Sequence, residues 1–144
     1  MSSTLTPIDI AFQHLLATLK PVVEDEDIPV EEALGRVLAC DSIAQMNVPP
    51  HACSAMDGYA VIAKDTVSTP RQLAVTQRIA AGQVGTDLSP GQAARIFTGA
   101  PVPPGADAVV MQENCSAEDN VVTILQSARS GENQRLAGED VEIG

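Results

Sequence analysis

Ser54-Ala55-Met56-Asp57-Gly58-Tyr59-Ala60-Val61, read together with Phe97-Thr98-Gly99-Ala100-Pro101-Val102-Pro103-Pro104-Gly105-Ala106-Asp107, decides how this chain folds. Each segment places a small polar residue at a glycine-bearing turn between apolar, strand-like stretches. A rigid sheet that holds polar groups on tight turns is the usual way a β scaffold presents chemistry. Asp57-Gly58 has two compatible readings. Asp-Gly supplies the positive φ of a type I′ hairpin turn. It also puts a carboxylate on a rigid tip, suited to a metal or to phosphate-linked magnesium. Thr98-Gly99 is either part of a stiff connection or a hydroxyl and backbone amides offered to a ligand. Pro101, Pro103 and Pro104 would then lower the entropy lost on binding.

Outward from these segments the pattern is β from about Ala52 to Leu125. Leu73, Val75 and Ile79 alternate with polar residues, as a half-buried strand requires. Ala94 to Phe97 and Ala108 to Met111 are short apolar strands on either side of the proline-rich loop. Val121 to Leu125 is another, reached through the turn signal Glu118-Asp119-Asn120. Short strands at such close spacing predict a small barrel or sandwich.

The N-terminal part reads differently. Thr6 can cap a helix, Pro7 fits its first position, and Asp9 suits the positive end of the dipole. Ile8, Phe12, Leu15, Leu16 and Leu19 recur on one face until Lys20-Pro21 stops the helix. Glu24 to Asp27 is an acidic connector. Pro29 to Leu34 reads as a short helix ended by Gly35, and Arg36 to Ile43 as a strand.

The expected fold is mainly β with short α-helices: a small β-barrel or sandwich domain inserted in a second, incomplete α/β unit. The expected division is an N-terminal amphipathic helix over 1–21, a compact β domain over 46–126, and an incomplete flanking domain from 22–45 and 127–144.

Composition limits the function. The chain has 144 residues, of which 44% are hydrophobic, so a packed core is within reach. Nineteen acidic against 8 basic residues give a net charge of −11. That balance argues against nucleic acid, whose affinity comes from Lys and Arg, and against an anionic membrane surface. Cys40, Cys53 and Cys115 form an odd set with no C-x-x-C spacing, so free thiols in a reducing, cytoplasmic setting are expected. His51 and Cys53 are metal-ligand types without a second pair at structural-zinc spacing. His14 lies off the apolar stripe and reads as a surface or edge residue. No nucleotide phosphate loop, Rossmann fingerprint or nucleophile elbow occurs.

The two opening segments, with Ala33-Leu34-Gly35-Arg36-Val37-Leu38-Ala39, Val48-Pro49, Ala81-Gly82, Arg95-Ile96 and Gly138-Glu139-Asp140 around them, resemble the molybdopterin molybdenumtransferases, the MoeA and gephyrin E-domain family. The likeness runs over nearly the whole chain. It implies the N-terminal part of an enzyme of molybdenum cofactor biosynthesis. Such an enzyme inserts molybdenum from molybdate into adenylylated molybdopterin with release of AMP, assisted by Mg2+, as a homodimer. It implies Asp57, Thr98 and Asp140 as catalytic residues, with Asp57 and Asp140 also binding metal. It implies substrate contacts from Ser54, Met56, Gly58, Tyr59, Gly99, Ala100, Pro101 and Arg135. Cys53 stands where the family commonly has Asn, and Arg135 where it often has an arginine run. In the family a separate α/β domain, normally following the region where this chain ends, binds the pterin, so the isolated chain is expected to be inactive. The other expectation is a dimerisation or protein-interaction module that retains only the β scaffold.

Overall fold

A computed structural model describes residues 5–20 and 24–144. They fall into two compact units, Met1–Ser42 and Ile43–Gly144. In the first, helix α1 (Ile8–Thr18) carries the apolar stripe, and none of its residues is buried. Pro7 precedes the helix and its carbonyl accepts the Ala11 amide at 3.0 Å. No side chain caps this end, so Thr6 does not take the role its sequence position suggested. The helix ends where Leu19 turns extended. Pro21, the expected stop, lies outside the described residues. A single 3-10 turn, Val30–Glu32, stands where a short helix was expected, and Gly35 follows with φ of 83°.

Arg36 to Ile43 is not a strand. Val37 and Leu38 are exposed, and no described strand pairs with this segment. Its β-branched residues satisfy a propensity, but a strand exists only through cross-strand pairing, and that partner is missing.

The second unit is mainly β. Strand β1 (Cys53–Ser54) pairs antiparallel with β8 (Gln134–Arg135). The main sheet contains β2 (Gly58–Val61), β3 (Arg71–Ile79), β4 (Gln92–Ile96), β5 (Ala108–Met111), β6 (Cys115–Glu118) and β7 (Val121–Ile124). Their order is β5-β2-β4-β3-β7-β6. All neighbours are antiparallel except β3 and β4, whose parallel pairing needs a crossover, here residues 80–91. Residues 127–144, expected to join 22–45 in a flanking unit, belong by their contacts to the unit that begins at Ile43.

The sheet is buried on both faces, which is why its central strands read as continuous apolar runs. Alternation sends Tyr59 and Val61 to one cluster with Leu73, Val110, Val122 and Ile124. It sends Ala60 to the other with Ile79, Leu88, Ile96 and Val109. Burying each large aliphatic side chain contributes roughly 1.5–3 kcal/mol. Pro103, in the proline-rich loop, is itself fully buried, so that loop is anchored at its middle.

Gly58 corrects the hairpin reading. It is the first residue of β2, its φ is not positive, and β1 and β2 do not pair with each other. The glycine is required for another reason. A Cβ at this position would lie 2.0 Å from the Val110 carbonyl oxygen of β5. Gly58→Ala should therefore destabilise the unit by roughly 1–3 kcal/mol in chemical denaturation, the range for overpacking. Gly58→Asn, which a positive-φ turn would tolerate, should be no better. Equal stability of Gly58→Asn and wild type would restore the turn explanation. A chain beginning at Ile43 should retain the β circular-dichroism signature and a cooperative unfolding transition.

Candidate active site

The residues around Asp57 are held by two neighbouring segments. Upstream, β1 is stitched to the proline-rich loop. The Ser54 amide donates to the Ala100 carbonyl at 2.9 Å, the Gly99 amide to the Ser54 carbonyl at 2.9 Å, and the Val102 amide to the Ala52 carbonyl at 3.0 Å. Gly99 has φ of 80°, the left-handed region that favours glycine, in a turn closed by the Ala100 amide donating to the Phe97 carbonyl at 2.9 Å. Downstream, β2 lies between β4 and β5. Asp57 sits at the change of direction, its carbonyl accepting the Gln112 amide at 3.1 Å.

Thr98 grips the Asp57 carboxylate twice. The Thr98 amide and hydroxyl both donate to Asp57 Oδ1, each at 2.8 Å. These bonds favour the ionised form and hold the carboxyl below its ordinary value of 3.8. The amide contributes most, the hydroxyl next, and the Arg95 charge adds a smaller pull against a small effect of burial. Among the described residues no donor is hydrogen-bonded to Oδ2. The result is an exposed, ionised carboxylate with one oxygen fixed and the other open.

The other expected residues separate by role. Ser54 is 1% exposed, and its hydroxyl donates to the Met56 carbonyl at 2.5 Å, closing the turn that leads to Asp57. Tyr59 is buried and packs in the core. Ala100 is buried and Pro101 half-buried. Met56, Thr98 and Gly99 are exposed beside Asp57. Asp140 is engaged elsewhere: a terminal nitrogen of Arg135 donates to Asp140 Oδ1, and Arg135 Nε donates to Glu139 Oε1 at 3.3 Å. The Asp140 bond and then the Glu139 bond push the Arg135 guanidinium up from its ordinary value. Asp57 and Asp140 thus belong to separate networks. His51 is exposed and Cys53 is buried in β1. Among the described residues no three His, Cys, Asp or Glu side chains come together as a metal cage.

Arg95 was quoted in the sequence only as part of a motif, yet it ties the site together. Its terminal nitrogens donate to the Gly58 carbonyl at 2.9 Å and to Gln112 Oε1 at 2.7 Å. Its guanidinium lies 5.2 Å from the Tyr59 ring centroid and 4.6 Å from that of Phe97. The available signal was a single cation inside the apolar strand Ala93-Ala94-Arg95-Ile96-Phe97.

Residues 6–144 match the family described as the MoeA N-terminal region, domains I and II. The molybdopterin molybdenumtransferase of Nostoc sp. is 40% identical over 149 aligned positions, covering 100% of this chain and 34% of that protein. Molybdopterin molybdenumtransferase 2 of Mycobacterium tuberculosis is 39% identical over 137, covering 92% of this chain and 34% of that protein. The crystal structure of the molybdopterin biosynthesis MoeA protein of Pyrococcus horikoshii OT3 superposes with a TM-score of 0.81 at 36% identity. It covers 98% of this chain, which spans 38% of that structure. The chain therefore spans about a third of the length of the curated relatives it matches.

Thr98→Val keeps the backbone donor to Asp57 and removes the hydroxyl. The Asp57 carboxyl, followed by carbon-13 NMR, should then titrate at higher pH than in wild type. Because the folded-state value is lowered, the Asp57–Thr98 contact stabilises above the unfolded value and is lost as pH falls through the folded one. In Thr98→Val that loss should be smaller and complete at a higher pH. An unchanged Asp57 titration would show that the hydroxyl does not act on the carboxylate.

Proposed function

From this chain's membership of the MoeA N-terminal family, we propose that the full-length protein inserts molybdenum from molybdate into adenylylated molybdopterin, releasing AMP. The observation that carries this reading is the Asp57–Thr98 pair: a carboxylate kept ionised by two donors, with one oxygen open, immediately before β2. The reading is also supported by the names of relatives in which this region occupies about a third of the length.

In this mechanism Asp57 holds charge at a fixed point, and Thr98 sets the carboxylate's rotamer and protonation state. Magnesium keeps most of its waters and takes one or two carboxylates together with substrate oxygens, so a closed protein cage is not needed. Asp57 Oδ2 fits such a ligand. Asp140 engages Arg135 through Oδ1, and among the described residues its Oδ2 accepts no hydrogen bond. When bound, the ion supplies charge neutralisation at substrate oxygens. Met56, Gly99 and Pro101 shape the surface beside the carboxylate, while Ser54, Gly58, Tyr59 and Ala100 act through the backbone they hold in place. The homodimer, the insertion of this β unit into a larger α/β unit, and the inactivity of this chain by itself belong to the same proposal.

The test is Asp57→Asn in the full-length enzyme. Asn keeps an acceptor for Thr98, so the scaffold should stay intact and the variant should still unfold cooperatively. Molybdenum insertion should fall by about 10²-fold or more, the scale for losing a preorganised electrostatic group. Insertion within a few fold of wild type, with the fold unchanged, would remove Asp57 from the chemistry.

A further inference from the structure

We propose that Arg78 and Arg95, placed side by side on β3 and β4 around Phe97, form a subsite for a small phosphate-bearing ligand. The placement depends on a one-residue irregularity. Pairing between β3 and β4 runs Val75 with Ala93, then shifts, and resumes with Gln77 opposite Ala94 and Arg78 opposite Arg95. Thr76 is the extra residue. Were the register unshifted, Thr76 would stand opposite Ala94 and Gln77 opposite Arg95. The bulge therefore sets two cations next to each other, and bulges characteristically re-aim side chains in this way.

Adjacent like charges on neighbouring strands are destabilising. A chain with 19 carboxylates and 8 cations has ample means to neutralise them. Among the described residues it does not. The ion pairs present among them are Arg36 with Glu26 and Arg135 with Glu139 and Asp140; no carboxylate lies within ion-pair distance of Arg78 or Arg95, and Asp57 meets the Arg95 charge only from beyond that distance. Phe97 stands beside both guanidiniums instead, 4.4 Å from Arg78 and 4.6 Å from Arg95. The ring holds the two groups in place without neutralising them. Arg95 gains structurally from its bonds to Gly58 and Gln112, whereas Arg78 makes no side-chain hydrogen bond or ion pair among the described residues; a cation set beside a like charge without such a gain is a mark of a functional position.

Donor capacity remains. Arg95 spends one hydrogen bond from each terminal nitrogen, on Gly58 and Gln112. Arg78 makes none within the described residues and is exposed. Guanidinium forks match phosphate oxygens in bidentate fashion, and a bridging dianion converts the repulsion between them into attraction. Phe97 adjoins Thr98, so the subsite borders the Asp57 carboxylate. The net charge of −11 opposes approach of a long polyanion, which favours a small phosphate ester or pyrophosphate over nucleic acid. The inference deepens the proposed function. It rests on that reading for the ligand's identity, the phosphates of the adenylylated substrate, and not for the existence of the subsite.

The experiment titrates the 144-residue chain with inorganic pyrophosphate at low ionic strength, following arginine Nε–H signals by NMR. Arg78 and Arg95 should shift together along one saturating curve, with Arg71 at the far end of β3 unmoved. Arg78→Gln, an exposed change that leaves the sheet intact, should weaken binding about tenfold, or about 1.4 kcal/mol. Arg71→Gln should leave it unchanged. Absence of saturation, equal shifts at Arg71, or undiminished binding by Arg78→Gln overturns the subsite, whatever a molybdenum-insertion assay reads. Absence of insertion by the wild-type full-length enzyme overturns the functional reading instead, whatever pyrophosphate does.

Discussion

Gly58 brings its α-carbon against the Val110 carbonyl, and the candidate site depends on that approach. A Cβ would stand 2.0 Å from the carbonyl oxygen. At this position β2 is flanked on both sides, by β5 and by β4. Because β2 is flanked, Arg95 of β4 reaches the Gly58 carbonyl. Asp57 immediately precedes this held residue, and its own carbonyl accepts the Gln112 amide. The position of the carboxylate is thus a consequence of backbone packing, with side-chain bonds refining it.

The second constraint comes from the opposite direction. Ser54 closes its own turn with its hydroxyl and exchanges backbone bonds with Gly99 and Ala100. This brings the Thr98 amide and hydroxyl within reach of Asp57. The carboxylate is then both aimed and kept ionised by the same pair of bonds. A group that must act on metal or phosphate at neutral pH gains from such fixation, since no reorganisation is left for the moment of reaction. The buried residues of the motif serve as support: Ser54, Tyr59 and Ala100 are buried, and the exposed chemistry is confined to Asp57, Thr98 and their immediate neighbours.

Three arginines of this acidic chain differ in their surroundings. Arg135 is neutralised by Glu139 and Asp140. Arg78 and Arg95 are left unneutralised among the described residues and are stacked around an aromatic ring. The thiol of Cys115 belongs to neither group: burial pushes it up to about 11, and the pull of Arg95 only partly offsets this. It is inert at neutral pH, since reactivity needs the thiolate.

The sequence by itself determined the mainly β class, the limits of β5, the start of β7, and the two segments that carry the chemistry. These are local properties: alternation, apolar runs and turn residues act over a few positions. It also marked Asp57 and Thr98 as candidates, though it left open what either residue does. Tertiary structure alone decided the rest. It decided that Gly58 is there for a close approach and not for a positive φ, because the clash comes from Val110, far along the chain. It decided that Arg36 to Ile43 is no strand, because β-propensity cannot supply a missing neighbour. It decided that one carboxylate oxygen of Asp57 is taken by Thr98 across 41 positions, and that Asp140 is occupied by Arg135. And it decided that Arg78 meets Arg95, since that pairing turns on a single bulged residue. The physical reason is the same in each case: side-chain periodicity is written in neighbouring residues, whereas register and contact are set by which distant segments pack together.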